Sequence, residues 1–266
     1  MSAVPQPADA PQLLRHDEGG VATLTLNRPG QFNSLSEELL AALQSELDAI
    51  AGDSSVRVVV IAGAGKAFCA GHDLKQMRAN HDKGYMQKLF RQCGRVMMTI
   101  TEMPQPVIAR IHGIATAAGC QLVAMCDLAV ASDNARFAVS GINVGLFCST
   151  PSVALGRAMG RKEAMEMLLT GDFVDAEEAR RRGLVNRVVP IERLDEEVGK
   201  LTASILAKSP IAVAMGKQMF YRQLEMGLEG AYQLASETMA CNMMTEDAAN
   251  GIDAFMEKRK PEWKGR

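Results

Sequence analysis

The sequence predicts an α/β fold with much parallel strand pairing, followed by a nearly all-helical C-terminal region. Three observations predict it. Apolar runs of strand length alternate with stretches of helical periodicity through the first half of the chain. One of those runs, "VRVVVIAG", is apolar on both of its faces, as a strand covered on both sides must be. From "TPSVALGRAMGRKEAMEMLLTG" onward almost every segment has helical spacing.

In chain order, "VATLTLN" (Val21 to Asn27) alternates like a half-buried strand. "SLSEELLAALQSELDAI" follows with helical periodicity, and the spacing of Ser34 and Glu37 predicts a capping box. The buried strand "VRVVVIAG" (Val56 to Gly63) comes next, then a helix near Tyr85 to Glu102 and the strand "PVIARIHG" after Pro106. A short helix from about Ala117 precedes the strand "LAVAS" from Leu128. "DAEEARRRG" predicts a helix capped at Asp175, with Glu178 as the box partner and Gly183 as its stop. No Gly/Ser linker separates core from helical region. The expected organisation is a tail over residues 1–12, a core over 13–200 and a C-terminal helical oligomerisation region over 201–266.

At 266 residues, 47% of them hydrophobic, the chain is long enough to bury a substantial core. A formal net charge of -2, with no basic stripe interleaved with aromatics, argues against a nucleic-acid partner. The six cysteines show no C-x-x-C pair and no metal-like spacing, so reduced thiols in a cytoplasmic protein are expected. The start, "MSAVPQPADAPQ", has neither a basic nor an apolar leader region, and no later stretch approaches a membrane span. His16 and His81 have no apparent ligand partners, and no metal site is expected. "GAGKAF" (Gly63 to Phe68) fails as a phosphate-binding loop. Val60 stands where its first glycine should be, and Ala67 where Ser or Thr should follow the lysine.

Two turns carry the chemistry. "FCAGHDLK" (Phe68 to Lys75) and "GIATAAGCQLVAMCD" (Gly113 to Asp127) each follow a strand and lead through small residues into a helix or loop start. Backbone N–H groups there are unpaired and the helix dipole favours negative charge. Two such donors converging would make an oxyanion hole.

With these turns, their order and their spacing, the chain resembles the crotonase superfamily, which includes enoyl-CoA hydratases and isomerases. "LNRP", "MEMLLTGDFVDAEEARRRGLVNRVV" and "AFMEKRKPEW" extend the resemblance from about Leu13 to Trp263. It implies a crotonase-like spiral of repeated ββα units, with a C-terminal helical region that assembles a homotrimer or a dimer of trimers. It also implies an acyl-CoA lyase or isomerase of fatty acid metabolism, with coenzyme A part of the substrate and no separate cofactor. The resemblance assigns the oxyanion donors to the N–H groups of His72 and Ala118, and the adenine to backbone near Ala70, His72 and Leu74. Lys258 and Lys260 are its candidates for the phosphates.

The chain departs from that pattern where acid–base chemistry is expected. The positions that carry glutamates in typical hydratases of the family are here Gln121 and Gly141, and neither can move a proton near neutral pH. A positioned acid or base contributes roughly 10²–10⁴-fold, so ordinary two-glutamate hydration should be crippled. Each backbone oxyanion donor is worth roughly 10²–10³-fold and tolerates the change of side chain. The expected remnant binds and polarises thioesters and stabilises an enolate. "GLFCSTP" (Gly145 to Pro151) replaces a glycine-rich family segment, so the acyl pocket is expected to be rebuilt around Asn143, Phe147 and Cys148.

Alternatives stay open. "AGHD" and "NVG" resemble methylmalonyl-CoA decarboxylases of the superfamily, and a non-catalytic acyl-CoA binder fits the same losses. The His72 imidazole could act as acid or base, although packing is the plainer role. Cys148 could be a nucleophile, but apolar neighbours suggest a pocket wall. Gln121, Asn143 and Ser140 could orient a polar acyl group or a water. Asp127, Asp73 and His112 read as structural.

Overall fold

The computed structural model describes residues 10–266, so the first nine residues of the expected tail lie outside the described residues. Pro11 and Gln12 are tied to the core. Their carbonyls accept from the Asn27 side chain at 2.8 Å and the Asn27 amide at 2.7 Å.

A six-stranded sheet runs in the order β1 (Leu13–Glu18), β2 (Val21–Leu26), β3 (Val58–Gly63), β4 (Val107–Ile111), β6 (Leu128–Ser132) and β9 (Arg187–Val189). Only the β1 and β2 pair is antiparallel. A second, three-stranded sheet holds β5 (Ile114–Thr116), β7 (Arg136–Ala138) and β8 (Val174–Asp175). The spiral that the resemblance implies is visible in this layout. β4 gives one strand to the large sheet, β5 steps into the small one, and α4 (Ala118–Met125) returns. β6, β7 and α5 (Ser149–Ala158) repeat the path. Isolated bridges between Leu35 and His72, and between Cys69 and Ala115, carry the second layer past the ends of the regular strands.

β3 is buried at every residue, as its unbroken apolar run requires. Val59 and Ile61 face the main core, while Val58 and Val60 face the other side, because successive strand side chains alternate. In the main core Leu39, Leu40, Leu43, Leu47 and Ile50 of α1 (Glu37–Ala51) pack beside Leu89, Cys93, Val96, Met97 and Ile100 of α3 (Lys83–Glu102). Leu194 and Val198 of α8 (Leu194–Leu206) cover the opposite face. The boundary expected between residues 200 and 201 therefore falls inside a helix packed on the sheet.

The capping box expected at Ser34 and Glu37 is not formed. Phe32 and Asn33 take positive φ and prolong the turn, so Ser36 becomes the cap and accepts from Leu39 N–H at 3.2 Å. The Asp175 cap forms as expected, accepting from Glu178 N–H at 2.7 Å ahead of α7 (Ala176–Arg181). α6 (Arg161–Thr170) links α5 to β8.

The C-terminal region comprises α9 (Pro210–Gln223), α10 (Leu228–Met243) and α11 (Glu246–Met256). No apolar residue of α9 or α10 is fully buried, and Phe220, Leu224, Leu228, Tyr232, Met239 and Met243 are exposed. The chain after α11 folds back. Asp247 accepts from the Lys264 and Gly265 amides, and Trp263 donates to the Ala207 carbonyl at 2.8 Å. Among the described residues no single helix is long and apolar enough to cross a membrane.

Candidate functional site

The two turns singled out in the sequence are laced together. Cys69 N–H donates to the Ile114 carbonyl at 3.1 Å, Thr116 N–H returns to the Cys69 carbonyl at 2.9 Å, and the Thr116 hydroxyl reaches the Ala70 carbonyl at 3.0 Å. Gly71, at φ +90°, makes the contact possible. A β-carbon there would stand 2.9 Å from Ala117 Cβ and 3.2 Å from Ala118 N. His72 and Ala118 thus lie on two backbones pressed against each other, and neither N–H has a protein hydrogen-bond partner among the described residues. Ala118 opens α4, where first-turn N–H groups have no intrahelical acceptor.

Each turn is held by its own device. Asp73 caps α2 (Leu74–Ala79), accepting from Lys75 N–H at 3.1 Å and Gln76 N–H at 3.2 Å, and Arg28 grips its other oxygen at 2.8 Å. Ala117 sits at φ 49° and ψ −118°, a conformation that strains an L side chain, and its N–H is held by the Ala138 carbonyl at 2.9 Å. The His112 ring contacts the Gly65 carbonyl at 2.9 Å, the structural role read from its place at a strand end.

The His72 side chain turns into the protein. Its ring meets Phe90 edge-on at 5.4 Å, and both ring nitrogens are buried without a well-formed hydrogen bond. Burial pushes the imidazole down to about 4, offset only in part by the Leu35 carbonyl, so the ring is neutral at pH 7. That leaves the backbone N–H as the group His72 presents.

At the two departures from the acid–base pattern, the surroundings differ. Gln121 is 4% exposed, and its Oε1 is buried with no partner. Gly141 is covered: a β-carbon there would fall 2.7 Å from Cys148 Sγ and 2.7 Å from the Leu146 carbonyl. The loop from Gly141 to Cys148 closes on itself through Leu146 N–H to the Gly141 carbonyl at 2.9 Å. No longer side chain fits there without moving it.

The Asn143 amide reaches back to the Gly171 carbonyl at 3.5 Å, at the end of α6. Phe147 is exposed. Cys148 is buried, its thiol faces the Val139 carbonyl at 3.6 Å, and burial raises its pKa, so it is a wall residue without the makings of a nucleophile. Ala70 N–H is taken by the Phe32 carbonyl at 3.0 Å, while Leu74 is exposed. Lys258 and Lys260 are exposed beyond α11, and no hydrogen bond or ion pair ties them to the 70–74 turn.

Sequence reasoning missed the group that anchors α4 from behind. Lys217 of α9 bonds Asp127, just past α4, and also the Ile100 and Gln105 carbonyls, each at 2.7 Å. A lone lysine in a helix with mixed spacing gives no sign of such a role. Two clefts of about 600 Å³ lie elsewhere, one between α1 and α3 and one on the outer face of the large sheet. Among the described residues no cluster of His, Cys, Asp or Glu could hold a metal ion.

The spiral of strand pairs defines a class, and comparison gives the same one. The chain belongs to the enoyl-CoA hydratase/isomerase family of the crotonase superfamily, whose family model matches residues 16–266. It is similar to a crystal structure of an enoyl-CoA hydratase from Mycobacterium smegmatis, with a TM-score of 0.94 and 62% identity over 96% of this chain and 99% of that one. It also resembles the crystal structure of human enoyl-CoA hydratase domain-containing protein 3, with a TM-score of 0.92 and 44% identity over 95% of this chain and 100% of that one. The Xenopus laevis protein of that name, described as mitochondrial, is 46% identical over 95% of this chain and 86% of its own length. That description overturns the expectation of a cytoplasmic protein. Reduced thiols report a reducing environment, which does not single out one compartment.

Proposed function

We propose that this protein binds acyl-CoA thioesters and stabilises an enolate of the acyl group with the His72 and Ala118 N–H groups, without the paired carboxylates of ordinary hydration. One observation carries the reading: two N–H groups with no protein partner among the described residues, on backbones pressed together at Gly71. When an electron pair arrives at the carbon beside the thioester carbonyl, charge gathers on the carbonyl oxygen. Each fixed donor aimed at it is worth roughly 10²–10³-fold. The amide of Gln121 cannot exchange a proton at neutral pH, Gly141 has no side chain, and the His72 imidazole is buried. Enolate formation with little demand on a protein acid or base suits this site.

Coenzyme A would enter as part of the substrate, with Lys258 and Lys260 available to its phosphates. The exposed apolar surface of α9 and α10 supports self-association, as a homotrimer or a dimer of trimers. The test follows the enoyl absorbance of crotonyl-CoA at high enzyme concentration, with Gln121→Ala alongside and carbon dioxide release from malonyl- and methylmalonyl-CoA as a second assay. Fast hydration would overturn the loss of acid–base chemistry, and release of carbon dioxide would make the protein a decarboxylase. Affinity without turnover would make it a binding protein. Calorimetry showing no affinity for any CoA ester would overturn the reading as a whole.

A further inference from the structure

We infer that the groove between α1 and α3 binds a phosphate monoester that carries hydroxyls, of the sugar-phosphate or mononucleotide class, at a site separate from the oxyanion turns.

The groove has a volume of about 600 Å³, within the ~300–1,000 Å³ of small-molecule sites, and its two walls differ in kind. α3 supplies Lys88, Arg91 and Arg95. From Lys83 to Thr101 this helix has no acid, so nothing on it offsets these charges. Lys88 meets Glu37 of α1 at 3.0 Å, but Arg91 and Arg95 have no hydrogen bond or ion pair among the described residues. Like charges four residues apart on a helix have their β-carbons about 5–6 Å apart and repel each other. A phosphate between them turns that repulsion into attraction, and the guanidinium fork matches its oxygens.

The α1 wall offers acceptors instead. Asp48 Oδ1 accepts from Gln44 Nε2 at 2.8 Å, and the carboxylate has no other partner among the described residues. The same Nε2 meets Thr99 Oγ1 at 2.9 Å, which leaves Gln44 Oε1 without a hydrogen bond. Bare phosphate would suit the arginines but would lie across the groove from the Asp48 carboxylate with little to give it. An ester with hydroxyls satisfies both walls, because the hydroxyls donate where the phosphate only accepts.

Phe90 meets the His72 ring from another side of α3. At about 100° per residue, Arg91, Arg95 and Lys88 lie roughly 100–160° round the helix from Phe90. An occupant of the groove therefore leaves the His72 and Ala118 N–H groups clear, and its binding does not depend on the acyl-CoA reading.

Calorimetry on the intact protein at low ionic strength tests this with ribose 5-phosphate, adenosine monophosphate, inorganic phosphate and ribose. Ribose 5-phosphate is expected to bind about tenfold more tightly than either inorganic phosphate or ribose. Arg91→Ser combined with Arg95→Ser should weaken it by about tenfold or more, since hydrogen bonds to charged groups are lost. Asp48→Ala should remove its advantage over inorganic phosphate. All three side chains are exposed, and the thermal midpoint checks that each variant is folded. Tighter binding of adenosine monophosphate would sustain the inference for a nucleotide, and equal binding would sustain it for a sugar phosphate. No affinity for either ester, affinity that survives loss of both arginines, or equal binding of inorganic phosphate would overturn it. Affinity for crotonyl-CoA should not move with the arginine changes; a parallel fall would place the groove within the substrate site and overturn the separation.

Discussion

Lys217 Nζ lies 2.7 Å from Asp127 Oδ2, with the two side chains only 6% and 14% exposed. The same carboxylate oxygen accepts from the Val107 N–H at 2.6 Å, so one atom joins α9, the end of α4 and the start of β4. Breaking a buried pair by removing one partner leaves an uncompensated charge and costs about 3–5 kcal/mol. Lys217→Met should lower unfolding stability by that amount in urea titration. Adding Asp127→Asn should return part of the loss, because the amide oxygen still serves Val107 while the stranded charge is gone.

The neutral His72 makes stability depend on pH in a definite direction. Its folded pKa, about 4, lies below the ordinary 6.5, so the unfolded chain binds more protons between those values. The contribution is complete above pH 6.5 and is lost as pH falls through 6.5 toward 4. It amounts to about 3 kcal/mol at 1.36 kcal/mol per pH unit. Urea titrations from pH 7 to pH 4 should show wild type losing about that much more stability than His72→Gln.

Ala117 holds a positive φ that glycine adopts without strain. Relief of the strain outweighs the extra chain entropy of glycine, so Ala117→Gly should raise stability by about 1 kcal/mol. The thermal midpoint checks it. A fall would show that the β-carbon contributes packing that exceeds the strain.

Restoring carboxylates should not restore hydration. Gly141→Glu drives its β-carbon into Cys148 Sγ and the Leu146 carbonyl, an overpacking that costs about 1–3 kcal/mol. The Gln121→Glu, Gly141→Glu double variant should therefore be less stable than wild type and show no gain in crotonyl-CoA hydration. Activity rising by orders of magnitude would mean that the 141–148 loop yields easily.

The thiols should divide sharply by burial. Cys69, Cys93, Cys120, Cys126 and Cys148 are buried, with pKa values raised by desolvation, while Cys241 is exposed. An aromatic disulfide reagent at pH 7.5 should titrate Cys241 alone in the native protein and all six thiols after unfolding. Rapid native reaction at Cys148 would contradict its place as a wall.

Periodicity made the large sheet readable because β3 and α1 bury whole apolar faces, and such faces leave a pattern in sequence. The small sheet left none. β5, β7 and β8 are two or three residues long, too short for alternation to show, and their place is set by pairing with distant segments. The two turns were legible through small residues following strands, and hydrogen bonds lace them together. The closing of the 141–148 loop over Gly141 was not, since it depends on a backbone contact between Leu146 and Gly141. The contact from Asn143 to the Gly171 carbonyl was hidden for a related reason, since it joins segments far apart in the chain. Ser36 displaced Ser34 as a cap because two residues of left-handed backbone lengthen the turn, and local composition does not reveal them.

The pair of N–H groups beside Gly71 is written in main chain, which every residue supplies. Side chains at 72 and 118 can drift without erasing it, whereas an acid at 121 or 141 vanishes with one codon. A scaffold of this kind separates what is inherited from what is negotiable. Under the proposed function, the grip on a thioester outlasts exchange of the side chains at 121 and 141, so one reaction can give way to another without loss of the substrate.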